Sequence, residues 1–233
     1  MKAIFHHAVQ ETPAISTYFF KPEKPIDFIA GQFIEMVIAH EEPDNRGSKR
    51  WFTISSPPGQ DKFSITTRIM ADGGSTFKQA LYTLEPGSTV TISQAMGDFV
   101  MPRLTTTPLI FVAGGIGITP FLSMLQSMSG EQEARPVQLI QAIKTEDDIA
   151  FQGIFEAAHQ HATLVVSDPT PSWGGERGRI SAEMLLGLTK PTADSQIYVS
   201  GPEQMVESLM TQLKASGVSS HQLIGDYFPN YGD

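Results

Sequence analysis

The sequence predicts two domains: a small antiparallel β-barrel over residues 1–104, followed by an α/β domain with a parallel sheet over residues 105–233. Three observations predict this. The first hundred residues are short β-rich runs between turn clusters, the rest alternates apolar runs with amphipathic helical patterns, and charge is divided unevenly between the two parts. Residues 1–104 carry 10 Lys+Arg against 11 Asp+Glu, whereas residues 105–233 carry 6 against 14, so that net −1 adjoins net −8.

In the first part the runs are IFHHAVQ, ISTYFF, QFIEMVIA, RWFTISS, KFSITTRIM and STVTISQ, separated by KPEKP, EEPDNRGSK, PPGQD and EPGS. Strands this short and this closely spaced build a small barrel. One stretch breaks the pattern: STFKQALYTL, residues 75–84, sets Phe77, Leu81 and Leu84 at helical intervals and predicts a single capping helix. His6 and His7, adjacent in the first run, are expected on opposite sides of a strand. In the second part LIFVA, VQLIQAI, TLVVS and QIYVS read as buried parallel strands, with helices over 119–128, 149–160, 181–188 and 202–215. Pro202 suits the first position of the last helix, ahead of the apolar face Met205, Val206, Leu209, Met210 and Leu213.

Composition removes several classes of function. A chain of 233 residues that is 40% hydrophobic and 18% charged can bury a globular core without covalent or metal staples. It has no cysteine, which excludes disulfides, thiolate-held iron–sulfur clusters, zinc ribbons and a cysteine nucleophile. Redox chemistry would then need a bound organic cofactor. A net charge of −9 argues against a nucleic-acid partner. The histidines lack metal-ligand spacing, so no metal is expected, and the carboxylates of EDD, residues 146–148, read as a charge cluster at a helix N-terminus rather than an acid/base pair. The opening MKAIFHHAVQ alternates like a strand rather than a signal peptide, and a cytoplasmic location is expected.

The longest uncharged stretch is PLIFVAGGIGITPFLSML, residues 108–125. A membrane span needs about 20 apolar residues and would hold Gly114, Gly115, Gly117 and Pro120 near its middle, where they weaken a helix. A strand–turn–helix uses each of them. LIFVA is the strand, GGIG the turn, Thr119 an N-cap and Pro120 the first helical residue.

Three stretches could carry chemistry, and each has an ordinary structural reason to exist. The glycine turn before a helix N-terminus can seat a pyrophosphate, or can simply make a sharp turn. It departs from G-x-G-x-x-G, because Pro120 stands at the third glycine, so a standard dinucleotide-binding dehydrogenase fits poorly. In RWFTISSPP, residues 50–58, Arg50 can bind phosphate, Phe52 can pack on a flat ring and Thr53 can donate to a ring nitrogen; the same residues suit a half-buried strand. Gly73 and Gly74 lead into Ser75 and Thr76 at the start of the barrel helix, which makes a second anion site or a capped loop.

Taken in order, these stretches resemble the ferredoxin–NADP reductase superfamily along essentially the whole chain. Arg50-Trp51-Phe52-Thr53 resembles its R-x-Y-S/T flavin motif, Gly73 to Thr76 its second FAD-phosphate element, Gly114 to Pro120 its GGxGxTP nicotinamide-nucleotide motif, and Tyr198-Val199-Ser200-Gly201-Pro202 its Y-x-C-G-P motif. The resemblance implies an FAD-dependent oxidoreductase that takes a hydride from NADH or NADPH and sends electrons to a separate protein such as ferredoxin or flavodoxin. It implies that Arg50 binds the FAD pyrophosphate, Phe52 lies against the flavin, Thr53 orients the flavin N5 locus, and Arg68, Gly74, Ser75 and Thr76 complete the flavin site. Gly114, Gly115, Gly117, Thr119 and Pro120 would receive the second dinucleotide, with Ser200, Gly201 and Pro202 at the nicotinamide, and Asp226 and Phe228 near the flavin's other face. Two residues depart from the pattern: Phe52 stands for the usual tyrosine, and Ser200 for the usual cysteine. Asp168, where a basic residue would read a 2′-phosphate, leans toward NADH, while Arg177 and Arg179 pull the other way. The near-neutral barrel half is the expected docking side for an acidic partner. Two other functions keep the same fold: an NAD(P)H:free flavin reductase, and a non-catalytic nucleotide-binding electron-transfer or regulatory module. Flavin colour surviving dialysis would argue against the first, and bleaching by NADH against the second.

Overall fold

The computed structural model describes residues 1–69, 75–133, 135–158 and 162–227. β1 (Lys2–Thr12), β2 (Ile15–Pro22), β3 (Phe33–Val37), β4 (Lys49–Thr53), β5 (Phe63–Arg68) and β6 (Thr89–Ile92) form one antiparallel sheet in the order β4-β3-β6-β1-β2-β5. Its ends meet: Ile54 bridges Ile65, and the Ser55 N–H donates to the Ser64 carbonyl at 2.8 Å, closing a barrel. Closure pairs edges that would otherwise recruit other chains. Strand alternation sends Ile34, Met36, Phe52, Ile54, Phe63, Ile65, Val90 and Ile92 into the barrel core. The predicted helix, α1 (Thr76–Tyr82), adds Phe77 and Leu81, both 0% exposed, and starts where the Ser75 hydroxyl accepts from the Lys78 N–H.

His6 and His7 do not face opposite sides. The pairing of β1 with β2 shifts register between Phe5 and His7, and the two imidazole Nδ1 atoms lie 2.7 Å apart. A bulge inserts an unpaired residue and interrupts the two-residue alternation on which that expectation rested.

The second sheet consists of β7 (Leu109–Gly114), β8 (Val137–Ile143), β9 (Ala162–Val166), β10 (Glu176–Arg177), β11 (Gln196–Gly201) and β12 (Leu223–Tyr227). All neighbours run parallel, in the order β10-β9-β8-β7-β11-β12. α2 (Thr119–Gly130) and α3 (Gln152–Ala157) pack on one face, and α4 (Ala182–Thr189) and α5 (Glu203–Ala215) on the other. The helix expected over 149–160 is shorter because Phe151, at φ 66°, turns left-handed immediately before α3. Ahead of it, Glu146–Asp148 form a 3₁₀ turn that Thr145 and Asp148 close as a capping box. Thr119 is not an N-cap: Gly115–Ile118 already form a 3₁₀ turn running into α2, and the Thr119 hydroxyl donates to the Ile116 carbonyl at 3.2 Å. Pro202 likewise stands at the N-cap of α5 rather than at its first helical position. The uncharged stretch 108–125 is thus β7, the turn and the first half of α2, and among the described residues no helix is long and apolar enough to cross a membrane.

The barrel and the parallel sheet share one apolar cluster, in which Ile15, Ala30 and Phe99 pack with Phe111, Phe121, Met124 and Tyr198. The Phe99 ring lies 5.8 Å from Phe121 and 5.3 Å from Tyr198. Polar ties reinforce it: the Ser123 hydroxyl donates to the Ser56 carbonyl at 2.7 Å, Gln126 Nε2 to the Ser55 carbonyl at 3.1 Å, and the Tyr198 hydroxyl to the Val100 carbonyl at 2.9 Å. Burial pushes the Tyr198 phenol up to about 12, so it remains a donor throughout the physiological range.

Candidate active site

In the parallel sheet the strand order reverses between β7 and β11, and crevices for ligands open beside the carboxyl ends of strands at such a point. The two motifs meet there. A Cβ on Gly117 would lie 2.3 Å from the Ser200 carbonyl oxygen and 2.6 Å from Gly201 Cα, and one on Gly114 only 2.4 Å from the Met205 sulfur. Gly201 packs back on Gly114, where a Cβ would be 3.0 Å from that Cα. Gly115 instead supplies a left-handed turn at φ 52°, and a Cβ there would meet nothing within 4 Å. Backbone approaches backbone, and the turn leads directly into α2, whose N-terminus is the positive end of its dipole. Thr119 and Pro120 are buried behind the turn.

Among the described residues two buried hydroxyls have no hydrogen-bond partner: Ser200 Oγ, on a residue 0% exposed, and Thr53 Oγ1, on a residue 3% exposed. They come from different halves of the molecule, at the ends of β11 and β4. β4 is held against α2 by the Ser55 and Ser56 carbonyls, and α2 begins at the glycine turn that seats Ser200. A buried hydroxyl left unpaired costs about 1–3 kcal/mol, which a bound polar ligand removes. These hydroxyls and the glycine cradle therefore fit a dinucleotide and a flavin. Next to Ser200 in the β11–β12 register is Asp226, whose carboxyl burial pushes above its usual range, partly opposed by the Tyr227 N–H. Phe228 and Gly74 lie outside the described residues.

The barrel side is organised differently. Arg50 Nη2 donates to both Asp44 carboxylate oxygens, at 2.8 and 2.9 Å. Its Nη1 faces the carbonyls of Arg46, Gly47 and Lys49 at 3.0, 2.8 and 2.7 Å, and the guanidinium lies 5.4 Å from the Phe77 ring centroid. Burial would raise the Asp44 carboxyl, but hydrogen bonds from the Arg46 N–H and Arg50 together hold it below the usual carboxylate range. The Thr76 hydroxyl accepts from the Asp44 N–H at 3.0 Å. It also lies 3.0 Å from His40 Nε2, and His40 Nδ1 lies 2.8 Å from the Ile38 carbonyl, so the imidazole bridges Thr76 to the end of β3. Phe52 is 4% exposed, facing the barrel interior with its ring 5.7 Å from Phe77. Arg68 reaches across to the second half, where Nη2 meets Asp148 Oδ1 at 2.6 Å.

Asp168 is exposed just beyond β9, its N–H donating to the Lys144 carbonyl at 2.8 Å. Nearby, Arg177 Nη2 is occupied by the carbonyls of Thr170, Pro171 and Trp173, while Arg179 is exposed. Sequence reasoning missed Asp44, Asp148 and Gln141. Gln141 is 2% exposed in β8 with its Oε1 unpartnered, and its signal was a glutamine within the apolar run VQLIQAI, which also carries Gln138. Asp44 gave no signal and Asp148 only that of the acidic cluster EDD, because pairing with Arg50 and Arg68 depends on how loops fold. Among the described residues no group of three or more histidines and acids could hold a metal.

Residues 111–211 match the oxidoreductase NAD-binding domain. The chain is 30% identical over 232 residues to a flavohemoprotein of Oceanobacillus iheyensis, covering 94% of this chain and 57% of that protein, so it spans little more than half the length of that relative. It superimposes on a ferredoxin NADP+ reductase of Neisseria gonorrhoeae with bound FAD and NADP (TM-score 0.81, 20% identity), which covers 97% of this chain and 98% of that one. The cytochrome b5 reductase domain of Ulva prolifera nitrate reductase fits equally broadly, with TM-score 0.83 at 19% identity over 97% of this chain and 96% of that one.

Proposed function

We propose that this chain, which belongs to the ferredoxin–NADP reductase superfamily, binds FAD on its barrel half and NAD(P)H in the β7–β11 crevice. It moves a hydride between them and delivers electrons to a separate redox protein such as a ferredoxin or flavodoxin. Residues 1–104 serve as the flavin domain and 105–233 as the nucleotide domain. When bound, FAD supplies the capacity to accept electrons as a pair and release them singly.

The chain's own work is placement and the exclusion of water. N–H groups of Gly115 and Gly117 at the head of α2 receive the nicotinamide dinucleotide's pyrophosphate, with Gly114, Thr119 and Pro120 fixing the turn. Gly201 and Pro202 shape the nicotinamide pocket, where the Ser200 hydroxyl finds its missing partner. The Thr53 hydroxyl does the same at the flavin N5 locus, and Asp226 stands beside Ser200. Arg50, Arg68, Gly74, Ser75 and Thr76 hold the flavin phosphates, Phe52 supports β4 from inside the barrel, and Phe228 closes the flavin's far face. Asp168 accepts from a ribose hydroxyl and disfavours a 2′-phosphate, so NADH is the preferred donor.

The observation that carries this reading is the pair of unpartnered buried hydroxyls, Thr53 and Ser200, one from each half. Its test is a spectrum of the FAD-loaded protein before and after anaerobic NADH. Bleaching of the absorbance near about 450 nm, a property of the cofactor itself, is expected. Bound flavin that stays oxidised would reduce the protein to a nucleotide-binding module. The acceptor docks on the barrel half, where near-balanced charge repels an acidic partner less than the net −8 half does. Electron transfer to such a partner is expected to speed up with added salt as the repulsion is screened; salt-independent transfer would count against electrostatic control.

A further inference from the structure

We infer that Asp44 is an internal occupant of the phosphate position on Arg50, and that flavin binding requires its carboxylate to leave. The inference rests on the proposal that Arg50 takes the FAD pyrophosphate. It follows from how the guanidinium is committed. Both Asp44 oxygens sit on Nη2 at 2.8 and 2.9 Å, and carbonyls of Arg46, Gly47 and Lys49 crowd Nη1. Both terminal nitrogens already face protein acceptors, so a phosphate has to compete for them with the Asp44 carboxylate and the loop carbonyls. Arg50 Nη2 and Asp44 are also largely sheltered, with side chains 15% and 21% exposed, so the pair is a structured contact rather than a solvated one.

Asp44 is placed to act as a latch. Its N–H donates to the Thr76 hydroxyl, its Oδ1 accepts from the Arg46 N–H at 2.9 Å, and its carbonyl accepts from the Gly47 N–H at 2.8 Å. Gly47 turns left-handed at φ 69° with open space around it. The connection between β3 and β4 therefore folds over Arg50 and Thr76, two residues assigned to the flavin phosphates, and presents a carboxylate where the ligand would present phosphate oxygens. A bound pyrophosphate and the Asp44 carboxylate repel each other and compete for the same donors, so apparent affinity is reduced by the fraction of molecules in which the latch is closed. Asp44 sets how readily the flavin enters, and with it whether the flavin is a resident group or an exchanging one.

The test measures FAD binding to the apoprotein by equilibrium dialysis and stopped-flow fluorescence for wild type, Asp44→Asn, Asp44→Ser and Arg50→Met, with melting curves to confirm folding. Both Asp44 variants are expected to bind FAD at least fivefold more tightly, through faster association with dissociation unchanged. Unchanged or weaker binding in the Asp44 variants, with Arg50→Met weakened tenfold or more, would overturn the latch and leave Arg50's role standing. An Arg50→Met protein that binds FAD like wild type would instead overturn the flavin role of Arg50 and the latch with it. The wild-type protein gives an independent readout: adding FAD should increase amide hydrogen exchange across residues 41–47, and protection there would refute displacement.

Discussion

The two halves of the site spend their polar groups in opposite ways. On the β7–β11 side, glycines bring backbone against backbone, and the Ser200 hydroxyl is left with no partner. On the barrel side Thr53 Oγ1 is unpartnered as well, but the candidate phosphate ligands Arg50, Thr76 and Arg68 are already engaged, by Asp44, by His40 with the Asp44 N–H, and by Asp148. The first is preorganised, and a ligand completes it. The second is self-satisfied, and a ligand must exchange places with protein groups, which lowers the net gain from contacts that look strong. A guanidinium whose donors already face protein acceptors is thus weaker grounds for tight binding than a hydroxyl with nothing to bond.

The largest expected effect tests the preorganised half. Gly117→Val sets a branched side chain against the Ser200 backbone, which cannot retreat as a flexible side chain could. NADH-driven flavin reduction, followed by stopped flow, should fall by roughly a hundredfold or more, the scale of about 2.7 kcal/mol; a threefold change would show that the crevice is not where the dinucleotide lies. Next, Phe52→Tyr restores the family's usual phenol inside a packed barrel core. Its hydroxyl has to be buried among apolar neighbours, so urea unfolding should show a loss of about 1–3 kcal/mol rather than tighter FAD binding. Tighter FAD binding at unchanged stability would mean that the ring turns outward.

Ser200→Ala and Thr53→Ala sharpen the contrast further. Neither removes a hydrogen bond present in the protein, so stability should stay within about 0.5 kcal/mol while hydride transfer slows roughly tenfold. A stability loss without a rate change would assign both hydroxyls to the fold. Asp168→Ala should narrow the ratio of kcat/KM for NADH over NADPH by about fivefold, the size of one charge-assisted contact. The smallest effect concerns Asp226. Burial raises its carboxyl in the folded state, so the native protein holds a proton the unfolded chain has released, and stability falls as pH rises from the ordinary carboxylate range through the raised value. Asp226→Asn should flatten that part of the pH–stability curve, matching wild type in acid and exceeding it at neutral pH; parallel curves would show that the carboxyl is not buried when charged.

Much of the fold was legible because burial leaves periodic marks. The six barrel runs and four of the six parallel strands stood out as alternating or continuous apolar stretches. β10 is two residues long, and β12, LIGDY, carries Gly225 and Asp226 where alternation would ask for apolar residues. Both escaped notice. The bulge at His6 and His7 and the left-handed Phe151 escaped for a related reason: one residue out of step changes the geometry without changing the pattern. In the site, the glycine turn and YVSGP were legible because close backbone approach admits only glycine. The partners of Arg50 and Arg68 were not, since Asp44 looks like any other loop acid in sequence and the cluster EDD does not reveal that Asp148 pairs with Arg68.

The sequence by itself determined the two-part architecture, the absence of thiol chemistry and the residues from which a dinucleotide site could be built. Those follow from local propensity, hydrophobic periodicity and the chemistry of the side chains present. Only the tertiary structure decided that Gly117 seats on Ser200, that Thr53 and Ser200 are both buried without partners, and that Asp44 lies on Arg50. Hydrogen-bond satisfaction is a property of the folded neighbourhood, and no spacing in a linear chain reveals which donors the fold has already used.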